Sequence, residues 1–362
     1  MHKVSVIKCN SYKKEIVKKA LKESLNLINF KFHKGMKILI KPNLLLPCKP
    51  EKAITTHPVI IEELCKILSK HKAEIHIGDS ASNNTNLALE VCGIRGLEKY
   101  AKIINFESEE QKIVQIDKVG KVLLPKILFD VDLVINLAKM KTHSLTGVTL
   151  CIKNLYGCIP GRLKEEYHRK FASLNDFSKL LAGLHEKILP ELNIIDGVIG
   201  LEGDGPGALG KPKNSGLIIV SRNAFAADVI ASEIMGFSSE RICTNKFSGL
   251  KKENIEVLGD GKNIKLNFKK PKTQYIHFFM PLSKFLPKSQ IKFEKQKCKL
   301  CGICAKKCPL KAISLSPFPS CNNKTCIQCL CCIEVCPNGA VYLCEPWIRQ
   351  AAKNIANSLS KT

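Results

Sequence analysis

The chain has 362 residues, 45% of them hydrophobic, which is enough for one large domain with a core of its own and a small second one. Its formal charge of +25 invites a nucleic-acid reading, yet no helix-turn-helix, RNA-binding sheet or zinc-finger pattern accompanies the lysines, and nucleic acid is not the expected partner. No apolar run reaches the ~20 residues of a membrane span, and "MHKVSVIKCN" reads as a strand entering a helix rather than a signal peptide, so a cytoplasmic protein with reduced thiols is expected.

From the amino terminus, apolar runs of strand length alternate with helical patterns. "VSVIK" at Val4 precedes a helix carrying Val17, Leu21, Leu25 and Ile28 on one face. "KILIK" at Lys37 precedes a helix opened by Pro58, with Ile60, Leu64, Ile67 and Leu68 facing inward, and then comes "EIHIGDS" at Glu74. Further strands are expected from Lys102 to Phe106, Asp132 to Leu137, Leu192 to Ile195 and Leu217 to Val220. The alternation predicts an α/β domain over residues 1–260, a mostly parallel sheet with flanking helices.

Ligands of such sheets sit beyond the carboxyl ends of the strands. "KPNLLLP" follows the strand at Lys37, Asp79 and Ser80 follow the one at Glu74, and "KMKTH" places Lys139, Lys141 and His143 together. "TLCIKNLYGCIPGRLKEEYH" adds Lys153, Asn154, Gly157, Gly161 and His168. Cations among glycines suit a carboxylate or phosphate, which gives an anionic small molecule as the expected substrate; a solvated lysine surface is the plainer alternative. In "DGVIGLEGDGPGALGKP", Asp196, Glu202 and Asp204 stand among glycines. One short flexible loop with three carboxylates could hold a divalent metal or exchange protons, or its acids could simply face water. It is neither an EF-hand nor a dinucleotide fingerprint.

Residues 261–290 break the pattern, mixing lysine, proline and aromatic residues; they read as a basic linker packed on the first domain, with a membrane-surface segment or a docking strip for an acidic electron donor as the alternatives. From Gly261 to the end there are 17 lysines and one arginine against three glutamates. Within that basic region, residues 291–345 hold a repeat offset by 28: Cys298, Cys301, Cys304 and Cys308 fall on Cys326, Cys329, Cys332 and Cys336, and Pro309 falls on Pro337. C-x2-C-x2-C-x3-C-P written twice is the bacterial ferredoxin spacing, in which the fourth cysteine of each run crosses to the other cluster. Two 4Fe-4S clusters are therefore expected, one on Cys298, Cys301, Cys304 and Cys336, the other on Cys326, Cys329, Cys332 and Cys308. Zinc knuckles would give no reason for the third cysteine or the duplicated Cys-Pro. Cys321 and Cys331 break the repeat, Ile303 standing where Cys331 would match, and read as bystanders. Residues 346–362 have Ile348, Ala352, Ile355 and Leu359 at helical spacing and predict a terminal helix.

The blocks "KPN", "GDS", "KMKTH", "IKNLYGCIPG" and "DGVIGLEGDGPGALGKP" resemble, in order, those of the domain of unknown function 362 family. The resemblance covers about residues 1–250, and fusion to a carboxyl-terminal two-cluster ferredoxin module is familiar in that family. It implies the domain order and gives the lysine and acidic blocks a functional role without naming a substrate.

Two functions follow as expectations. In the first, an iron-sulfur oxidoreductase accepts electrons from a redox partner such as a ferredoxin or flavodoxin and passes them to a substrate or cofactor in the α/β domain; no flavin or nicotinamide motif is evident. In the second, a non-enzymatic electron carrier or assembly factor uses the α/β domain to bind a partner protein.

Overall fold

The structure, a computed structural model, describes residues 1–272 and 289–346. Eleven strands and eight α-helices of the first domain organise around one sheet. They are β1 (His2–Lys8), α1 (Lys14–Leu27), β2 (Lys37–Lys41), α2 (Pro58–Ser69), β3 (Glu74–Asp79), α3 (Thr85–Val91) and β4 (Lys102–Asn105). The hairpin β5 (Gln111–Ile116) and β6 (Gly120–Pro125) follows, then β7 (Leu133–His143), β8 (Gly147–Thr149), α4 (Cys151–Asn154), α5 (Leu163–Lys170) and α6 (Leu174–Ile188). The domain closes with β9 (Leu192–Gly203), β10 (Gly210–Ser221), α7 (Ala224–Ile234), α8 (Cys243–Lys246) and β11 (Ile255–Leu258).

The main sheet runs β11-β1-β10-β9-β7-β2-β3-β4, with β8 attached to β7. Along that path only β10 is reversed, since it pairs antiparallel with β1 and β9 while the other neighbours are parallel. Both faces are covered, so the central strands bury alternate residues in two cores. On β7, Leu133, Ile135 and Leu137 enter the core under α1 and α2, while Val134, Ala138 and Met140 enter the opposite one with residues of α6 and α7. Alternation of strand and helix thus yields the expected architecture, with the β5–β6 hairpin and β8 as additions. Among the described residues no helix is long and apolar enough to cross a membrane.

Two local expectations change. "KMKTH" is not a loop after a strand: β7 continues through His143, every residue of it buried. Likewise Asp196 and Glu202 lie within β9, leaving only a short turn between β9 and β10. Of the basic linker, residues 261–272 pack on the first domain, where Leu266 N–H donates to Ile234 O at 2.6 Å and Phe268 is buried. The rest of that segment up to residue 288, and the terminal helix predicted on Ile348, Ala352, Ile355 and Leu359, lie outside the described residues.

In the carboxyl-terminal module the repeat in sequence becomes a repeat in backbone. Helical turns span Ile303–Lys306 and Cys331–Glu334, again offset by 28. Left-handed φ values recur at the same offset, at Leu300 and Gln328, Gly302 and Leu330, Lys311 and Gly339.

Candidate functional site

The chain leaves β2 toward β3 and β4, then returns to β7 on the other side of β2. That reversal opens a crevice at the carboxyl ends of β2, β3 and β7, the place where open α/β sheets hold ligands. A cleft of about 660 Å³, partly open to solvent, occupies it. Its walls include Asn43, Asp79 and Ser80 after β2 and β3, Lys141 and His143 on β7, Lys153 on α4, and Lys164 and His168 on α5. Lys307, Cys331 and Glu334 of the cysteine-rich module close the far side.

A chain of four amides leads to the cleft, and its last two members, Asn154 and Asn43, line it. Asn136 Nδ2 donates to Asn193 Oδ1 at 3.0 Å, Asn154 Nδ2 to Asn136 Oδ1 at 2.8 Å, and Asn43 Nδ2 to Asn154 Oδ1 at 2.8 Å. Lys141 Nζ ends the series, donating to Asn43 Oδ1 at 2.7 Å and to Ile54 O at 2.8 Å. Because each amide uses both ends, the orientation of every member is dictated by its neighbour. Above it, buried Lys41 and Asp79 pair at 2.8 Å, and Asp79 also accepts N–H groups from Leu44 and Ser80. Gly157 must be glycine there, since a Cβ would come within 2.2 Å of Asp79 Oδ1 and 2.6 Å of Lys41 Nζ.

The charge in the cleft is unbalanced toward positive. Lys41 is matched by Asp79, and Lys307 by Glu165 at 2.6 Å. Lys164 Nζ finds only neutral oxygens, Ser80 Oγ at 2.8 Å among them, and burial brings its pKa down to about 8. Burial, and then Lys153 nearby, bring Lys141 down to about 7. Lys153 has no hydrogen-bond partner among the described residues; its ammonium stands over the Tyr156 and Phe177 rings at 4.7 and 5.4 Å. α4 presents it, and Asp228 anchors the start of α4 by accepting the N–H groups of Cys151 at 2.7 Å and Ile152 at 3.0 Å.

His143 is not one of the cations. Its Nδ1 accepts N–H groups from Leu145 and Thr146, so Nε2 carries the proton of a neutral ring, and burial with Lys153 and Lys141 holds its pKa well below the usual histidine value. Nε2 faces Glu334 Oε1 at 3.3 Å. The Glu334 carboxyl is pushed up by burial, against the opposing pull of Lys153 and Lys141. Burial likewise brings His168, stacked on Phe177, down to about 3.

The remaining predicted residues lie elsewhere. Lys139 pairs with Asp196 at 2.8 Å, both buried, and Tyr12 Oη accepts from Lys139 Nζ and donates to Asp196 Oδ1. Glu202 is held by Lys213 at 3.1 Å and by the Lys269 N–H, while Asp204 accepts the Lys272 N–H at 2.8 Å. Each of the three acids therefore has its own partners, and the single three-carboxylate loop expected from the sequence does not form. The glycines of that stretch bring backbones together instead. A Cβ on Gly205 would lie 2.4 Å from Thr142 O, and one on Gly207 would lie 2.5 Å from Glu334 O. "GDGPGALG" is the cradle on which the cysteine-rich module rests.

In that module the cysteines sort into two hollows. One, of about 350 Å³, is lined by Cys298, Cys301, Cys304 and Cys336; the other, of about 360 Å³, by Cys308, Cys326, Cys329 and Cys332, with Cys321 and Cys331 beside them. The grouping follows the crossed pattern of the sequence. Backbone N–H groups already point at sulfur, Ala312 to Cys308 Sγ and Ala340 to Cys336 Sγ, each at 3.2 Å, and Gln328 to Cys326 Sγ at 3.4 Å. Donors aimed at thiolate, with four cysteines around each hollow, fit an iron-sulfur cluster. Cys331 lines both the second hollow and the cleft.

Sequence reasoning missed Glu334, Lys164 and the amides Asn43, Asn136 and Asn193. Glu334 did carry a signal. At the repeat offset it stands opposite Lys306, as Cys331 stands opposite Ile303, so the second half departs from the first at two residues that face the cleft.

Two family models match the chain. Residues 291–314 match the 4Fe-4S binding domain, and residues 38–233 match the domain of unknown function DUF362. A thylakoid-associated protein of Synechocystis is 30% identical over 220 residues, which is 58% of this chain and 66% of that relative, just under two thirds of its length. The lactate racemase apoprotein from Thermoanaerobacterium thermosaccharolyticum aligns over 60% of this chain and 54% of its own, at 14% identity and a TM-score of 0.32. The chain belongs to the DUF362 family and carries a 4Fe-4S ferredoxin-type domain at its carboxyl end.

Proposed function

We propose that the protein is an oxidoreductase that hands electrons one at a time, through two 4Fe-4S clusters, to an anionic small molecule in the cleft. The observation that carries this reading is the shared wall: the turn Cys331–Glu334 belongs to the module that would hold the clusters and also lines the cleft. Cys298, Cys301, Cys304 and Cys336 would hold one cluster, Cys308, Cys326, Cys329 and Cys332 the other. When bound, the clusters supply one-electron transfer. The protein supplies position and charge. Lys153, free of hydrogen bonds among the described residues, offers its ammonium to a carboxylate or phosphate, with Lys141 and Lys164 behind it. Tyr156 and His168 provide an apolar wall, and the docked module excludes water from the side facing the cysteines.

The test uses protein made without oxygen, its iron content measured and its clusters reduced. Fractions of anionic metabolites are added while the visible absorbance is followed, in parallel with Lys153→Ala. Catalytic reoxidation by one fraction in the wild type, lost in the variant, supports the reading. If no metabolite reoxidises either form, while ferredoxins or flavodoxins exchange electrons equally with both, a carrier or assembly role replaces it.

A further inference from the structure

The two halves of the cysteine-rich module have different surroundings. The half built on Cys326, Cys329 and Cys332 faces the cleft. There Gln328 is tied down by its Nε2, which donates to Ser289 O at 2.6 Å, and Glu334 meets the cationic wall. At the matching positions of the other half stand Leu300 and Lys306. Leu300 is 61% exposed and Cys301 beside it is exposed. Leu315, 44% exposed, lies next to the same loop, where a Cβ on Gly302 would come within 3.3 Å of its Cδ1.

Exposed lysines surround these leucines. Lys299 adjoins Leu300, Lys306 ends the turn that follows, and Lys295 stands over the Phe318 ring at 5.7 Å. None of the three makes an ion pair among the described residues. The half that faces the lysine-lined cleft presents a glutamate, whereas the half that faces outward presents a lysine at the same place and an apolar tip. Apolar centre and cationic rim match a protein whose own docking surface is acidic.

We propose that this face, centred on Leu300 and rimmed by Lys295, Lys299 and Lys306, docks an acidic one-electron carrier protein. Electrons then enter at the cluster on Cys298, Cys301, Cys304 and Cys336, and leave for the cleft from the cluster on Cys308, Cys326, Cys329 and Cys332. Each encounter moves one electron: the carrier is oxidised by one, the outer cluster is reduced by one, and no proton is required. This order of clusters rests on the function proposed above.

The experiment uses the anaerobic full chain with both clusters assembled. An acidic plant-type ferredoxin, chemically reduced, is mixed with it in a stopped-flow instrument, and photoreduced deazaflavin, which is uncharged, serves as the partner-independent reductant. The ferredoxin rate is expected to fall as salt rises from about 50 to about 500 mM. It should fall at least about tenfold in Lys299→Glu and in Leu300→Glu, while Lys121→Glu on the β5–β6 hairpin stays within about twofold of the wild type. Deazaflavin should reduce all forms alike, which shows that the clusters are intact in each. Equal ferredoxin rates in the wild type and the two loop variants would overturn the proposal, as would an equal loss in Lys121→Glu. A change from dimer to monomer in Leu300→Glu would also overturn it, by giving the face to a second copy of the chain. The readout is cluster reduction, so the test stands even where no metabolite reoxidises the clusters.

Discussion

His143 Nε2, at the end of the longest buried strand of the sheet's centre, faces Glu334 Oε1 of the iron-sulfur module at 3.3 Å, with both side chains out of solvent. Close as they are, the two atoms make no hydrogen bond, and neither has another partner among the described residues. The cost of an unpaired buried donor, about 1–3 kcal/mol, is therefore already present in the wild type. Glu334→Ala and Glu334→Gln should have closely similar midpoints in denaturant unfolding, and a clear recovery of stability in Glu334→Gln over Glu334→Ala would show that the imidazole N–H and the side chain at 334 bond in solution.

The Lys139–Asp196 pair calls for a different pair of variants. Removing one partner strands a buried charge, and Asp196→Leu is expected to cost about 3–5 kcal/mol. Lys139→Met combined with Asp196→Leu should be markedly more stable than Asp196→Leu alone. Urea midpoints measured side by side check this, and a double variant no better than the single one would show that the pair does not act as a unit.

Gly207 lets the turn between β9 and β10 approach the module's backbone. In Gly207→Val the side chain would start 2.5 Å from Glu334 O, so the module must shift away. Limited proteolysis should then release a fragment from the carboxyl end faster than in the wild type, with far-ultraviolet circular dichroism unchanged.

The cleft should respond to pH through Lys141 and Lys164. Their pKa values, about 7 and about 8, lie below the ordinary lysine value because of burial, so raising the pH through that range removes positive charge. Affinity for a bound anion should fall by about tenfold per charge lost between pH 6.5 and 9. Stability moves the other way. A lysine neutral in the folded state and protonated in the unfolded one stabilises the fold as pH rises from the folded pKa toward about 10.4. Isothermal titration and thermal unfolding across this range should therefore slope in opposite directions.

Iron content separates ligands from bystanders. Cys304→Ser and Cys332→Ser should each lower the iron per chain by about half, to about four atoms, whereas Cys331→Ser should leave it near about eight. Equal iron in Cys332→Ser and the wild type would refute Cys332 as a cluster ligand.

Two kinds of information were legible along the chain. The cysteine repeat could be read because its meaning lies in local spacing, a few residues wrapped around each hollow, and the same offset of 28 recurs in the φ angles of the folded module. The strand and helix alternation could be read because burial on both faces of a sheet leaves continuous apolar runs such as "LVINLA". Long-range pairing decided everything else. Lys139, Lys141 and His143 are near neighbours in sequence, yet only the latter two reach the cleft, because β7 runs beside β9 and Asp196 captures Lys139. Asp196, Glu202 and Asp204 stand close together in sequence, but β9 and β10 pair across most of that stretch and hand each acid a different partner. Glu334 becomes part of the cleft only when the module docks on Gly207, a contact between residues more than a hundred positions apart that no local pattern encodes.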